Sequence, residues 1–582
     1  MPDRYAPAAP AAEDNSAAPA AEESSATSTT GDSPAVAAAQ NIAPAGSAAK
    51  PAAGAQAGAA TAPDGAATAW AAAGPDAGAS ATAAPAMPGR GKVRTVMAGA
   101  LLTMCLAALD QNIVNTALPR MVGDLGGMAH LSWVVTAFML TSTVTTPLYG
   151  KLSDIYGRRR LFFVAILLFL AGSFASGAAQ SMGQLIAFRA LQGLGAGGLL
   201  VLAQAAIGDV VSPRERPRYQ GLFTGTFALA SVAGPLLGGF ITSALSWRWV
   251  FYVNLPVGAL AMVLVAMGLK QQPSGVARRI DYIGAVLLAG ATAALLLLLA
   301  WGGTEFPWGS VETAGMAALT VLLFVLFLWQ ETRAPEPLIR LSLFRNPIYA
   351  RGVTVGGMMV FAMLGSTVFL PLYFQLVLGM DPARAGAMLL PQVVGMVVTS
   401  VIGGRIVSKL GRNKPFLLAG LGLEAVALGS LAIFAYVGAP PALFLVSMGL
   451  LGMGMGMGMP NLTTAVQNAV AHKELGAATG AMTFARSLGG AVGVATSGTI
   501  MAQRLLAASH GIGGVDVGAI TEHGIQALAH LTSAQQLAVS DAYRTALTGC
   551  FLLSGVVMTL ALLLVLGLPE QTLRDGIEDK AR

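Results

Sequence analysis

The sequence predicts an all-α, multi-pass membrane protein built from two six-helix bundles with two further helices inserted between them. Of its 582 residues, 55% are hydrophobic and only 11% are charged, whereas a soluble domain carries about 25% charged residues. Fourteen apolar runs approach the length of about 20 residues that a membrane-spanning helix needs. Two parts of the chain also resemble each other at an offset of 254 residues, which indicates an internal repeat.

Residues 1–89 differ in composition from the rest of the chain. They are rich in Ala, Pro, Gly and Ser and have a net charge of −6. Such a composition cannot bury enough apolar surface to form a packed core, so we expect a disordered cytoplasmic tail. Residues 90–582 carry a net charge of +12, and the basic character therefore belongs to the hydrophobic part.

The first bundle is predicted in residues 90–270, the two inserted helices with their linker in 271–345, and the second bundle in 346–568. A cytoplasmic C-terminal tail follows at 569–582. The predicted spans of the first bundle are 95–117, 132–149, 161–179, 184–207, 219–244 and 249–269. The inserted spans are 282–301 and 313–330, and those of the second bundle are 350–376, 385–407, 415–436, 442–466, 476–501 and 546–567.

Lysine and arginine residues indicate the orientation of these helices. Nineteen of the 34 lie in the even-numbered connections, which follow helices 2, 4, 6, 8, 10 and 12, and five lie in the connections on the other side. Cytoplasmic loops carry the excess of these residues. We therefore predict that the even-numbered connections and both termini are cytoplasmic, in a cell (inner) membrane. Residues 502–544 are then the one long outward loop.

The repeat lies in the connection between the second and third helix of each bundle. Gly150 to Arg160 reads GKLSDIYGRRR, and Gly404 to Lys414 reads GRIVSKLGRNK. Glycine gives the backbone the freedom that a tight turn needs. Asp154 could bind a helix end or an arginine in one conformation and release it in another, whereas the alternative is a turn that is merely positively charged. The second copy has Ser408 instead, so a carboxylate latch is confined to the first bundle.

The candidate gating residues of the repeat all lie in the connection between the second and third helix of each bundle. They are Gly150, Asp154, Gly157, Arg158, Arg159, Gly404 and Gly411.

These motifs resemble those of the major facilitator superfamily, and specifically of its fourteen-helix drug:proton antiporter branch, over about residues 95–570. GKLSDIYGRRR is similar to the family's loop 2–3 motif, and Arg189 with Gln192 is similar to part of its fourth-helix motif. LDQNIVNTALP at 109–119 resembles the first-helix motif of the branch, with Asn112 in place of the more usual threonine. WRWVFYVNLPVG at 247–258 is also typical of the branch. The resemblance implies the major-facilitator fold and a transport function.

The string GPLLGG at 234–239 resembles the antiporter motif of helix 5. Pro235 removes a backbone donor, and Gly234, Gly238 and Gly239 remove side-chain bulk, which permits close helix contact and a kink. The resemblance implies a seal that closes the outward path and favours export. Ordinary packing of small residues is the alternative.

Four acidic or basic residues lie away from the ends of the predicted spans, where charge is costly and indicates function. They are Asp110, Arg189, Glu424 and Arg486. A helical rise of about 1.5 Å per residue places the first two at similar depth in one bundle and the last two near the midplane of the other. We therefore expect one acid–base pair in each bundle.

Asp110 is the first candidate for exchanging a proton for a cationic substrate, with Arg189 modulating it. Gln111, Asn112 and Asn115 make the same helix polar, which a lipid-facing helix would not be. A polar patch that only joins helices is the alternative. For Glu424 a purely structural role is equally open.

No enzymatic activity is expected. The chain has no GxxxxGK[ST] phosphate loop, and its GxGxxG spacing at 193–198 lies inside an apolar run without a preceding strand. The five histidines fall in predicted loops or at helix ends, so we expect no metal site and no cofactor. Since the phosphate loop is missing, energy has to come from an ion gradient or a partner, and the resemblance implies a proton gradient. Topology explains the basic residues, and no nucleic acid is expected as a partner.

The residues predict an ion-coupled carrier that works by alternating access, and the resemblance implies drugs as its substrates. The leading interpretation is a secondary active exporter of hydrophobic or cationic drugs and toxic compounds in exchange for protons, with antibiotic resistance as a consequence. A dedicated exporter of an endogenous metabolite, antibiotic or siderophore is one alternative, and a membrane sensor or scaffold is another. The expected partners are a small-molecule substrate, protons and the lipid bilayer. A periplasmic adaptor protein and the oligomeric state are left open.

Overall fold

A computed structural model describes residues 90–126, 131–269, 281–303, 305–509, 532–570 and 573. These residues are mostly helical. The predicted tail at 1–89, most of the predicted tail at 569–582 and the centre of the predicted loop at 502–544 lie outside the described residues.

The described helices follow the predicted order. The first half contains α1 (Arg90–Leu125), α2 (Leu131–Tyr156), α3 (Arg158–Gly177), α4 (Met182–Val210), α5 (Arg216–Ala244) and α6 (Asn254–Gly268), the last preceded by a short helix, Trp249–Tyr252. The inserted pair is α7 (Tyr282–Trp301) and α8 (Val311–Arg333). The second half contains α9 (Pro347–Thr367), α10 (Leu390–Leu410), α11 (Lys414–Val437), α12 (Pro441–Asn468), α13 (Leu475–Ser509) and α14 (Ser533–Leu566). Short helices, Leu370–Leu376 and Pro382–Ala387, lie between α9 and α10.

Twelve of the helical segments in the described chain are long and apolar enough to cross a membrane. The two that fall short of this measure are α2 and α13, which are 26 and 35 residues long. The sequence of α2 contains eight serines and threonines, and α2 packs along α13. Residues that face another helix need not be as apolar as those that face lipid. That α2 and α13 also cross the membrane, which would give fourteen spans, therefore stays a prediction.

The predicted outward loop is shorter than 502–544 at both ends. Helix α13 continues to Ser509, and α14 begins at Ser533, behind a capping box in which Thr532 and Gln535 satisfy each other's backbone donors. This cap lies well before the apolar run at 546–567, because the first turns of α14 are amphipathic. Hydropathy alone therefore placed the start of this helix too late.

Each half packs around its own apolar core. Phe162, Phe169 and Phe223 are buried in the first half, and Phe444 and Phe551 are buried in the second. The halves meet along two seams, where α2 packs on α13 and α5 packs on α10. We call the side of the protein that carries the even-numbered connections the basic face, because most of the lysines and arginines lie there.

Candidate functional site

A buried ion pair joins α1 and α4 in the first half. Arg189 donates a hydrogen bond to Oδ2 of Asp110 at 2.8 Å, and the two side chains are 2% and 0% exposed. The other carboxylate oxygen, Oδ1, accepts hydrogen bonds from Nε2 of Gln192 at 2.8 Å and Nδ2 of Asn254 at 2.7 Å. A buried charge is tolerated when it is paired and hydrogen-bonded. The predicted pairing of Asp110 with Arg189 is confirmed, and the arrangement suits an ionised carboxylate.

Further contacts fix the geometry of this pair. The guanidinium carbon of Arg189 lies 4.1 Å from the ring centroid of Phe138, a cation–π contact. The Ser173 hydroxyl accepts from Asn254 at 2.9 Å and from Gln192 at 3.3 Å. The network therefore connects α1, α3, α4 and α6 through buried polar groups.

The other polar residues of α1 do not take part in this network. Asn112 donates to the backbone carbonyl of Ala108 and packs against Gly234 of α5. Asn115 is exposed and Gln111 is half-buried. Since successive helical residues are rotated by about 100°, Asp110 points into the bundle while the predicted polar arc faces elsewhere. A role of these three residues in binding substrate stays a prediction.

Glu424 and Arg486 do not form the predicted second pair. Arg486, on α13, donates to the Thr463 hydroxyl at 3.0 Å, whereas the Glu424 side chain, on α11, packs against α12. The expectation rested on depth, and depth does not fix the direction in which a side chain points around its helix. The second half therefore holds an acid and a base without the ion pair of the first half.

The Glu424 carboxyl is fully enclosed. The residue is 1% exposed, and its buried Oε1 accepts no hydrogen bond from the described residues. A Cβ atom on Gly454 would lie 2.6 Å from Cγ of Glu424, and one on Gly458 would lie 3.0 Å from Oε1. The carboxyl thus occupies space that two glycines of α12 leave free.

At the basic face, Asp154 at the end of α2 binds the N-terminus of α13. Its carboxylate accepts hydrogen bonds from the backbone N–H of Gly476 at 3.1 Å and of Ala477 at 2.8 Å, where the helix dipole favours an anion. Arg158 lies 2.7 Å from the same carboxylate and also binds Asp209 at 2.9 Å. Burial raises the pKa of Asp154, and the Arg158 charge acts against that rise. The structure thus has the geometry of the predicted latch in its engaged form.

Arg159 does not join the latch. Its guanidinium lies 5.9 Å from the ring centroid of Phe163 on the same helix. Of the two candidate arginines of the repeat, Arg158 is therefore the one that contacts Asp154.

The repeated glycines have matching environments in the two halves. A Cβ atom on Gly150 would lie 2.5 Å from the carbonyl oxygen of Gly476 on α13, and one on Gly404 would collide with the carbonyl of Pro217 on α5. Gly157 and Gly411 have φ values of +90° and +70°, which other residues rarely adopt. The repeat therefore encodes both seams between the halves and the turns that follow them.

The helix 5 motif packs against α1. Positions for Cβ atoms on Gly234 and Gly238 are occupied by atoms of Asn112, Ile113 and Thr116. Gly239 has nothing within 4 Å of such a position, and Pro235 is exposed. The predicted close helix contact is therefore confirmed for Gly234 and Gly238 and is wrong for Gly239.

Replacing Asp154 with asparagine is expected to favour opening of the basic face by at least about tenfold, because a hydrogen bond to a charged group stabilises by about 1.5–3 kcal/mol. The measurement is the distance distribution between spin labels on Tyr156→Cys and Arg412→Cys, which are exposed positions on opposite halves, after Cys105 and Cys550 have been replaced. Ser408→Ala, at the equivalent position of the repeat, is the matched control. An unchanged distance distribution in Asp154→Asn would show that Asp154 does not act as a latch.

Sequence reasoning missed several functional candidates. Asn254 was not among the predicted site residues, although an asparagine within the apolar stretch 247–258 was an available signal. Ion pairs across the basic face were also missed, among them Lys151 with Glu336 at 2.8 Å and Arg340 with Glu474 at 2.6 Å. These pairs join residues more than 130 positions apart, and no local sequence pattern predicts them.

Comparison with known proteins agrees with this architecture. Residues 100–494 match the family model described as Major Facilitator Superfamily. The chain is 36% identical over 419 residues to the Multidrug transporter protein MdtP of Bacillus subtilis, covering 72% of this chain and 77% of that one. It is 34% identical over 412 residues to Multidrug resistance protein 3 of the same organism, covering 71% of this chain and 80% of that one.

Among solved structures, the proton:xylose symporter XylE superimposes with a TM-score of 0.56 and 16% sequence identity, covering 83% of this chain and 98% of that one. This likeness concerns the fold. The family match covers more than half of the chain, and relatives above 30% identity are covered over more than two thirds of their length. The chain therefore belongs to the major facilitator superfamily and is a membrane transporter.

Proposed function

We propose that this transporter exports hydrophobic, often cationic, compounds in exchange for protons. The two halves would alternate between a state open to one side of the membrane and a state open to the other. The basic face would lie on the cytoplasmic side of a cell membrane, because cytoplasmic loops carry the excess of lysine and arginine. The two relatives named as multidrug proteins support efflux as the direction and drugs as the substrate class.

The observation that carries the proposal is the charge-dependent network around Asp110. A proton on this carboxylate would remove the charge that binds Arg189 and weaken the hydrogen bonds from Gln192 and Asn254. These partners lie on α4 and α6, so protonation at α1 would alter the packing of three helices at once. A buried group whose bonds depend on its protonation state can link proton binding to conformation.

The arrangement at the basic face supports alternating access. Hydrogen bonds between the halves concentrate there, including those from Arg214 to the carbonyls of Ser408 and Lys409 and from Arg216 to Asn468. The basic face is thus closed in this structure. An exporter in this state would release substrate to the opposite side and accept a proton from it.

The test is efflux of a lipophilic cationic dye from proteoliposomes under an imposed pH gradient. We expect gradient-driven efflux by the unmodified protein and its loss in Asp110→Asn at equal reconstituted amounts. Asp124→Asn is the matched control, since Asp124 lies on the same helix but outside the network, where it accepts a hydrogen bond from Trp247. Dye flux indifferent to the pH gradient would contradict proton exchange, and absence of flux for a panel of such dyes would contradict the substrate class.

A further inference from the structure

The inserted helices lie on the seam between the two halves. Leu148 of α2 and Phe484 of α13 share an apolar cluster with Leu288 of α7 and Phe327 of α8. Leu338, in the linker that follows α8, belongs to the same cluster and is 1% exposed. The inserted pair and its linker therefore pack against both halves where α2 meets α13.

A chain of alternating charges continues this contact across the basic face. Lys151, at the end of α2, binds Glu336 of the linker at 2.8 Å, and their side chains are 6% and 24% exposed. Arg340, four residues further along the linker, lies 3.5 Å from Glu336 and binds Glu474, just before α13, at 2.6 Å. One short segment thus holds a residue of the first half through Glu336 and a residue of the second half through Arg340.

The linker is itself fixed to the inserted pair. The two carboxylate oxygens of Glu331, in the last turn of α8, accept the backbone N–H groups of Leu338 and Ile339, each at 3.2 Å. Asp281 caps α7 through Gly284 and also accepts a hydrogen bond from Gln330 of α8 at 3.0 Å. Because the linker is bound to α8 and α8 is bound to the start of α7, Glu336 and Arg340 cannot follow α2 and α13 independently.

We propose that α7, α8 and the linker at 334–346 form a clasp that stabilises the state in which the basic face is closed. Opening of this face separates α2 from α13. A linker fixed to the inserted pair cannot then keep both the Lys151–Glu336 and the Arg340–Glu474 contacts. Opening therefore breaks at least one of these two ion pairs. This gives the two inserted helices a role in setting the balance between transport states. The inference depends on neither the substrate nor the coupling ion.

The test is a mutant cycle of Lys151→Gln, Glu336→Gln and the double variant, made in the full chain with the spin labels at positions 156 and 412. Each single change is expected to increase the open population about fivefold, the upper end for a partly exposed ion pair. The double variant should show no further increase, because residues that act through one contact are not additive. Asp381→Asn breaks an exposed ion pair with Arg384 within the second half and should leave the distances unchanged.

Two results would overturn the clasp. One is an unchanged distance distribution in both single variants, which would mean that the ion pair does not bias the states. The other is an open population that rises additively in the double variant, which would mean that Lys151 and Glu336 act through separate partners. Size-exclusion profiles and melting temperatures of all variants establish that the labelled proteins are folded, and neither measurement requires transport.

Discussion

Replacing Arg189 with glutamine is expected to lower the free energy of unfolding by about 3–5 kcal/mol, the cost of leaving one member of a buried ion pair without its partner. The carboxylate of Asp110 would keep its two amide donors, Gln192 and Asn254, but lose the only cation within hydrogen-bonding distance among the described contacts. The measurement is denaturant-induced unfolding of the detergent-solubilised protein. Asp110→Asn should destabilise to a similar extent, since it leaves the guanidinium buried.

The double variant Asp110→Asn, Arg189→Gln separates a structural role from a transport role. Removing both charges should recover most of the lost stability, because neutral polar groups cost less to bury than an unpaired charge. If the pair only stabilises the first half, dye efflux will recover together with stability. Our proposal requires efflux to stay lost, and recovery of gradient-driven efflux in the double variant would therefore contradict it.

The contrast between the two acid–base pairs shows how far the sequence could lead. Helical rise predicted that Asp110 and Arg189 lie at the same depth, and they are bonded. The same arithmetic placed Glu424 and Arg486 at similar depth, and Arg486 binds Thr463 instead of Glu424. Depth follows from counting residues along a helix, whereas direction depends on how each helix is rotated against its neighbours. That rotation is set by packing, which a single sequence does not reveal.

The repeat was the more reliable guide, because it combines position with backbone requirements. Gly150 and Gly404 lie at the two seams, and Gly157 and Gly411 form the turns that only glycine adopts easily. What the repeat could not predict was the difference between the halves. Asp154 reaches α13, whereas at the equivalent seam the backbone carbonyl of Ser408 accepts from Arg214. The inserted pair has no counterpart in the repeat, so its contacts could be found only in the structure.

Glu424→Gln is expected to leave the free energy of unfolding almost unchanged, unlike Arg189→Gln, and yet to abolish dye efflux. Glutamine has the size of a neutral glutamic acid, and the enclosed Oε1 of Glu424 accepts no hydrogen bond from the described residues that the substitution would break. A buried carboxyl without a cation is held at lower cost as the neutral acid, so the free energy of unfolding should change by less than about 1 kcal/mol. Dye efflux driven by a pH gradient should nevertheless fall to the level of empty liposomes, provided that Glu424 exchanges a proton during the cycle.

The two buried carboxyls would then be in opposite protonation states. In this structure Asp110 is bound by a cation and two amides, which suits the ionised form, while Glu424 lies against two glycines and has no such donor among the described residues, which suits the protonated form. Glu424→Asp tests this assignment, because it keeps a titratable group in the same enclosure and should retain some dependence on the gradient. Efflux in Glu424→Gln with unaltered pH dependence would show that Glu424 only fills space, and proton exchange would then rest on the Asp110 network in the first half.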